Sequence, residues 1–151
     1  MTTSIIRFIN IYIAALLTGV SLGIWIGFNP SNLSASTYVE QQQNMIQSLN
    51  LLLSSLAILI TLITLVSAFI QKENKPVFIS LIVAALFFIA CIVISWFGNQ
   101  PINNIVMTWT ADTLPENWVS LRDKWWSFHI MRTITELIAL CLITWASIRK
   151  D

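Results

Sequence analysis

The sequence predicts an all-α integral membrane protein: a four-helix up-down bundle with a short interfacial helix in its first outer loop. Three observations carry that expectation. Hydrophobic residues make up 56% of the 151-residue chain and charged residues only 10%, against about 25% charged in soluble domains. Mean hydropathy is +0.76, which implies more apolar surface than so short a chain can hide in one water-soluble core. Four segments reach the roughly 20 mostly apolar residues that a bilayer crossing takes. They define a single four-span domain over residues 1–151, with spans near 5–28, 50–71, 76–97 and 127–148.

The first span follows Arg7 and is uncharged from Phe8 to Phe28. That run is longer than the roughly 7–15 residues of a signal-peptide apolar core, so it reads as a retained helix. Ala15, Gly19, Gly23 and Gly27 recur every four residues and form a ridge that lets another helix approach closely. Tight packing inside the bundle is the expectation for that ridge, with a homo-oligomer seam as the alternative. Asn29-Pro30-Ser31-Asn32 reads as a turn. From Ser36 to Asn50 the chain is rich in Gln and Asn, with Tyr38, Met45, Ile46 and Leu49 interspersed. The pattern suits a helix that lies at the interface or extends the second span outward. The second span is the uncharged run Leu51 to Ile70, and the third runs from Pro76 to Phe97, where Gly98 and Pro101 are expected to stop it. The connection that follows carries Trp109, Trp118, Trp125 and Trp126, and indole rings favour the headgroup level. The fourth span, Ser127 to Ile148, contains His129, Arg132 and Glu136.

Basic residues orient the bundle. Arg7, Lys72, Lys75, Arg149 and Lys150 share the side of the termini, while Arg122 and Lys124 lie on the other. The excess places both termini in the cytoplasm, with a bacterial inner membrane as the expected location.

Several functions drop out. Net charge is +1 and no basic run occurs, so nucleic acid is not an expected partner. Membrane lipid and a small hydrophobic ligand are. Cys91 and Cys141 form no Cys-x-x-Cys pair, and helix rise separates them by roughly 12 Å in depth, too far for a disulfide. They read as packing residues. A single histidine without neighbouring cysteines falls short of a zinc or copper ligand set. No cofactor is expected.

The chemistry concentrates in one stretch. Arg122, Trp125, His129, Arg132 and Glu136 are spaced by 3, 4, 3 and 4 residues, which places them along one stripe of a helix. On a span otherwise apolar, such a stripe turns inward. Glu136 falls roughly 13 Å below the outer surface by helix rise, where a charge costs roughly 2.5–3.5 kcal/mol to insert. Arg132, one turn above, is placed to donate a charge-assisted hydrogen bond to it, and His129 follows one turn higher. The same residues suit either a structural ion-pair network or the polar floor of a ligand pocket. Asn99, Asn103 and Asn104 add amides at the outer mouth, with Glu40, Gln41 and Gln42 able to approach from the first outer connection.

Two motifs carry a family resemblance. One is Asn99-Gln-Pro101-Ile-Asn103 after the third span. The other is Trp118 followed by Arg122, Trp125 and Trp126, His129 and Arg132 leading into the fourth. Together they resemble the domain of unknown function 1772 family, the anthrone-oxygenase-like small four-helix membrane proteins. The resemblance implies a cofactor-independent oxygenase. Some fungal members oxidise polyketide anthrones to anthraquinones with molecular oxygen, while most bacterial members have no established activity. It implies shared functional positions at Asn99, Asn103, Trp118, His129 and Arg132. The aromatic run Trp125-Trp126-Ser-Phe-His129 and the acid Glu136 depart from the family pattern. The resulting expectation is a pocket near the outer face that binds a small hydrophobic aromatic compound. In it His129 is the general base, Arg132 stabilises the anion, and Glu136 holds Arg132. Asn99, Asn103, Trp118, Arg122 and Trp125 would position the substrate. The competing expectation is a non-enzymatic membrane subunit or scaffold with a structural Arg–Glu pair.

Overall fold

A computed structural model describes residues 2–110 and 113–149. Four long apolar helices cross the bundle. α1 spans Thr2–Gly27 and α2 Ala35–Ile70. α3 spans Lys75–Ile94, passes through a π turn at Ser95–Asn99, and continues as α4, Gln100–Val106. α5 spans Trp118–Ile148. α1 and α3 each pack against both α2 and α5, so the helices form a closed ring of four. Where they meet, the core is Ala14, Leu17, Ile60, Ala84, Phe88, Ala139 and Ile143, each almost fully buried. The alanines let the backbones approach, and Leu, Ile and Phe fill the remaining space. Large apolar side chains such as Leu62, Phe69, Ile79 and Leu86 cover the outside, as a lipid-facing surface requires.

The local signals explain the boundaries. Ser34 caps α2 by accepting from the Thr37 amide at 3.3 Å, and Asn74 caps α3 by accepting from the Val77 amide at 3.4 Å, with Pro76 in the first turn. Arg7 ties three helix ends together at one face. Its Nε donates to Gln71 Oε1 at 2.7 Å, and its Nη1 approaches the Ser147 carbonyl at 3.5 Å. The longer connections meet at the opposite face, where Gln43 Nε2 donates to the carbonyls of Val106 and Trp109, both at 2.9 Å.

Three expectations change. The polar stretch 36–50 is not a separate interfacial helix but the outer part of α2 itself. The short helix in that connection is a single 3-10 turn, Pro30–Asn32. Gly98 and Pro101 do not stop the third span, because the π turn carries the chain past them and the apolar helix runs on to Val106. Pro101 falls in the first turn of α4, at a junction where the widened turn already interrupts the regular hydrogen-bond ladder. Trp109 is buried against the bundle. The Gly19, Gly23 and Gly27 ridge faces outward, since a Cβ at any of the three would meet nothing within 4 Å. The bundle closes without that ridge.

Candidate functional site

The α5 stripe turns inward as its spacing requires. Arg122, Trp125, His129 and Glu136 are buried and Arg132 is half-buried. His129 is fully enclosed between chemically distinct partners. Its Nε2 lies 3.1 Å from the Ser21 carbonyl of α1, and its Nδ1 lies 3.3 Å from Arg132 Nε and 3.1 Å from Arg132 Nη2. A guanidinium only donates and a carbonyl only accepts. Nδ1 is therefore the acceptor and Nε2 carries the hydrogen, which leaves a single neutral tautomer. Trp125 stacks on the imidazole at 5.3 Å with an interplanar angle of 1°, and Trp126 at 5.5 Å and 23°.

This arrangement corrects the expected pairing. Arg132 donates to His129, not to Glu136. Glu136, with none of its side chain exposed, accepts instead from the Cys91 thiol of α3 at 3.1 Å through Oε1. Its Oε2 has no partner. Arg132 still supplies the nearest positive charge, and the unpartnered Ser21 hydroxyl lies beside the same carboxyl. Cys91 thus has a polar role that its apolar surroundings in sequence concealed. Cys141 is exposed on the helix exterior.

Toward the loop-rich face the π turn swings Asn99 inward, where its Nδ2 donates to the Trp125 carbonyl at 3.0 Å. One turn on, Asn103 Oδ1 accepts from Trp125 Nε1 at 2.7 Å. The two asparagines therefore hold both the backbone and the indole of Trp125. Asn104 is exposed and accepts from Gln100 at 3.2 Å. Trp118 and Arg122 sit higher still. Trp118 packs on Tyr38 at 5.7 Å, while Arg122 lies 5.3 Å over the Trp118 ring and donates to Asp123 and to the Ser31 carbonyl. They pin the loops together.

Between these groups lies a cavity of about 470 Å³, within the range of small-molecule sites. Asn99, Asn103, Trp125, Arg132 and Glu136 line it. His129, Trp118 and Arg122 do not. Its walls are apolar, chiefly Met45, Ile46, Leu49 and Leu53 of α2 and Leu17 and Ile24 of α1. Three buried polar atoms without partners belong to residues that line it: Gln42 Nε2, Asn99 Oδ1 and Glu136 Oε2. Each such atom costs about 1–3 kcal/mol if nothing satisfies it.

In the sequence Gln42 reads only as a residue of the mouth and Cys91 as a packing residue, and Ser95 does not stand out. A signal was present. Gln42, Met45, Leu49, Leu53 and Ala57 are spaced 3, 4, 4 and 4, a helical stripe like that of α5. Cys91, Ser95, Asn99 and Asn103 recur at every fourth residue and all line the cavity. Among the described residues no group of three or more His, Cys, Asp or Glu side chains is placed to hold a metal ion.

The anthrone oxygenase family model matches residues 42–142, more than half of the chain. The chain belongs to the anthrone oxygenase family. Within this family member the matched segment begins at Gln42 and takes in every polar side chain that lines the cavity. α1, outside the matched segment, adds apolar wall through Leu17 and Ile24, with the Ser21 carbonyl fixing His129 from behind. No curated protein and no solved structure matches this family member.

Proposed function

We propose that this protein binds a small, mostly apolar aromatic compound in the cavity and oxidises it with dioxygen. One observation supports the reading: three residues that line a single apolar-walled cavity, Gln42, Asn99 and Glu136, each hold a buried polar atom without a hydrogen-bond partner. A ligand that donates to Asn99 Oδ1, accepts from Gln42 Nε2 and places an acidic C–H against Glu136 Oε2 would satisfy all three. The family's name supplies the chemical class. In the anthrone reaction a ring methylene becomes a carbonyl, R2CH2 + O2 giving R2CO + H2O.

The geometry recasts the expected roles. Glu136, a lining residue with one oxygen free of hydrogen bonds, is the general base. Arg132, beside it, holds the enolate or phenolate oxygen that deprotonation creates. His129 acts from behind as a positioning group, since its one tautomer accepts from Arg132 and donates to Ser21. Trp125, Asn99 and Asn103 form the aromatic and amide wall. Trp118 and Arg122 pin the loops together above it. The test is oxygen uptake and quinone absorbance with 1,8-dihydroxyanthrone, using protein in nanodiscs and subtracting empty discs. Glu136→Gln is expected to lower kcat by about 10²–10⁴, the usual worth of a positioned base. A wild-type rate no faster than empty discs would sink the oxygenase reading. Unchanged turnover in Glu136→Gln would sink the assignment of the base.

The basic residues support cytoplasmic termini, which puts the cavity in the outer half of the bilayer, taken here as a bacterial inner membrane. A second reading, a non-enzymatic subunit or scaffold, draws on the outward Gly19, Gly23 and Gly27 ridge, a surface on which a second copy of this chain could dock. In that case Gly23→Leu changes oligomeric state in detergent and Glu136→Gln changes no activity.

A further inference from the structure

The cavity is closed toward the loops and open toward the lipid. On the loop side Gln43 bonds the Val106 and Trp109 carbonyls, and Asn103 and Trp125 are locked together beneath them. On the α1 and α5 walls the lining side chains are buried or half-buried. The opening lies between α2 and the end of α3. There Leu51 is 79% exposed, Ile58 52% and Trp96 68%, yet all three line the cavity, and Ser54 is also exposed. Leu51 begins the apolar run of its helix, so the slot runs from the bilayer boundary down into the acyl layer. From Leu51 to Ile58 it is roughly 10 Å long at 1.5 Å per residue.

We infer that the ligand is a membrane-dissolved ring compound carrying a long aliphatic chain, an alkylated phenol together with the quinone it gives on oxidation, whose ring enters sideways while its tail stays in the α2–α3 slot. This rests on the reading of the cavity as an aromatic site and narrows it. A compound arriving from water would have to break the Gln43 and Asn103 contacts. One arriving from lipid meets an apolar gap that already leads to Glu136 and Arg132. The small Ser54 side chain sits in the gap with room for a methylene chain. The tail moves from lipid to a lipid-facing slot, so it adds little affinity once concentration is expressed per lipid. What the slot confers is tolerance, because a closed pocket of 470 Å³ would reject a decyl chain by steric exclusion.

The experiment compares 2,3-dimethoxy-5-methyl-1,4-benzoquinone with its 6-decyl derivative. Binding is read as quenching of tryptophan fluorescence in nanodiscs, with Kd expressed per lipid. Wild-type protein is expected to bind both within about threefold. Ser54→Phe, which fills the slot, is expected to weaken the decyl compound at least tenfold while the equilibrium affinity of the short one holds. Leu62→Phe, on the lipid face of the same helix away from the cavity, is expected to change neither. Binding of the short quinone alone by wild type overturns the slot and leaves the aromatic site standing, and so does equal loss of both compounds in Ser54→Phe. Binding of neither by wild type overturns the aromatic site and the slot with it.

Discussion

Gly98 lies buried beneath Phe128, and its replacement by alanine tests how the π turn meets α5. A Cβ there would stand 2.6 Å from Phe128 Cγ and 2.7 and 2.8 Å from the two Cδ atoms, against about 3.5–4.0 Å for carbons in contact. Roughly 1 Å of separation must therefore be found. The nearest atom is the root of the ring, so tilting the ring edge does not relieve the clash. Either the whole side chain or the two helices must shift. Overpacking of this kind costs about 1–3 kcal/mol, and a hit on the ring root belongs in the upper half of that range. Alanine returns about 1 kcal/mol of helix propensity. The net effect is a loss of about 1–2 kcal/mol, roughly 2–8 °C in Tm for a chain of this size. In a Phe128→Ala background the clash is gone and only the propensity remains, so the same substitution should stabilise by up to about 1 kcal/mol. Thermal unfolding of the four proteins in one detergent reads the cycle. A Gly98→Ala effect of the same sign in both backgrounds would refute the contact and the reason given for glycine at this position.

Other outcomes follow from single contacts. Trp125→Phe keeps the ring but strips Asn103 Oδ1 of its donor, and should cost about 1–3 kcal/mol of stability in the same thermal assay. Cys91→Val leaves Glu136 Oε1 without the thiol and should lose a similar amount, whereas Cys91→Ser keeps a donor and should stay near wild type. Equal melting of the two variants would remove the thiol–carboxyl contact from the account. For topology, Lys72→Cys in whole cells should react with a membrane-impermeant maleimide only after the cells are opened. Labelling of intact cells would invert the assigned orientation.

The spans were legible because charge is scarce and lipid leaves the backbone no alternative to helix. The α5 stripe was legible because four contacts at 3 and 4 residue spacing survive any packing of the partners. What lay beyond reach depended on neighbours. The Arg132 guanidinium sits within range of both His129 and Glu136 along one helix, and only the position of α3, which delivers Cys91 to the carboxyl, settles which of them it bonds. His129 looks like a free base when only its own helix is known. The Ser21 carbonyl that occupies its second nitrogen comes from a helix 108 residues away in sequence. The glycine ridge could not be assigned to the inside or outside from its four-residue repeat, because that repeat describes a face and not what covers it. Gln42 was obscured by the run of glutamines around it, in which Gln42 is buried while Gln41 and Gln43 are half-buried.

The π turn has a consequence for chain length. Four residues of α-helix advance 400°, about 40° past a full turn, so Cys91, Ser95, Asn99 and Asn103 would drift about 120° apart on a regular helix. One additional residue accommodated in the turn takes back about 100°, and the four line up along the cavity. A family member one residue shorter between Ser95 and Asn99 would reach the same alignment with an unbroken helix, since eleven residues advance 1,100°, within about 20° of three full turns. A gap of one at this place is therefore expected to be neutral for the cavity. The same gap between Trp125 and Glu136 would rotate half the α5 stripe by about 100° and carry the acid out of the site. Tolerance to insertion and deletion should differ sharply between the two helices that build the floor.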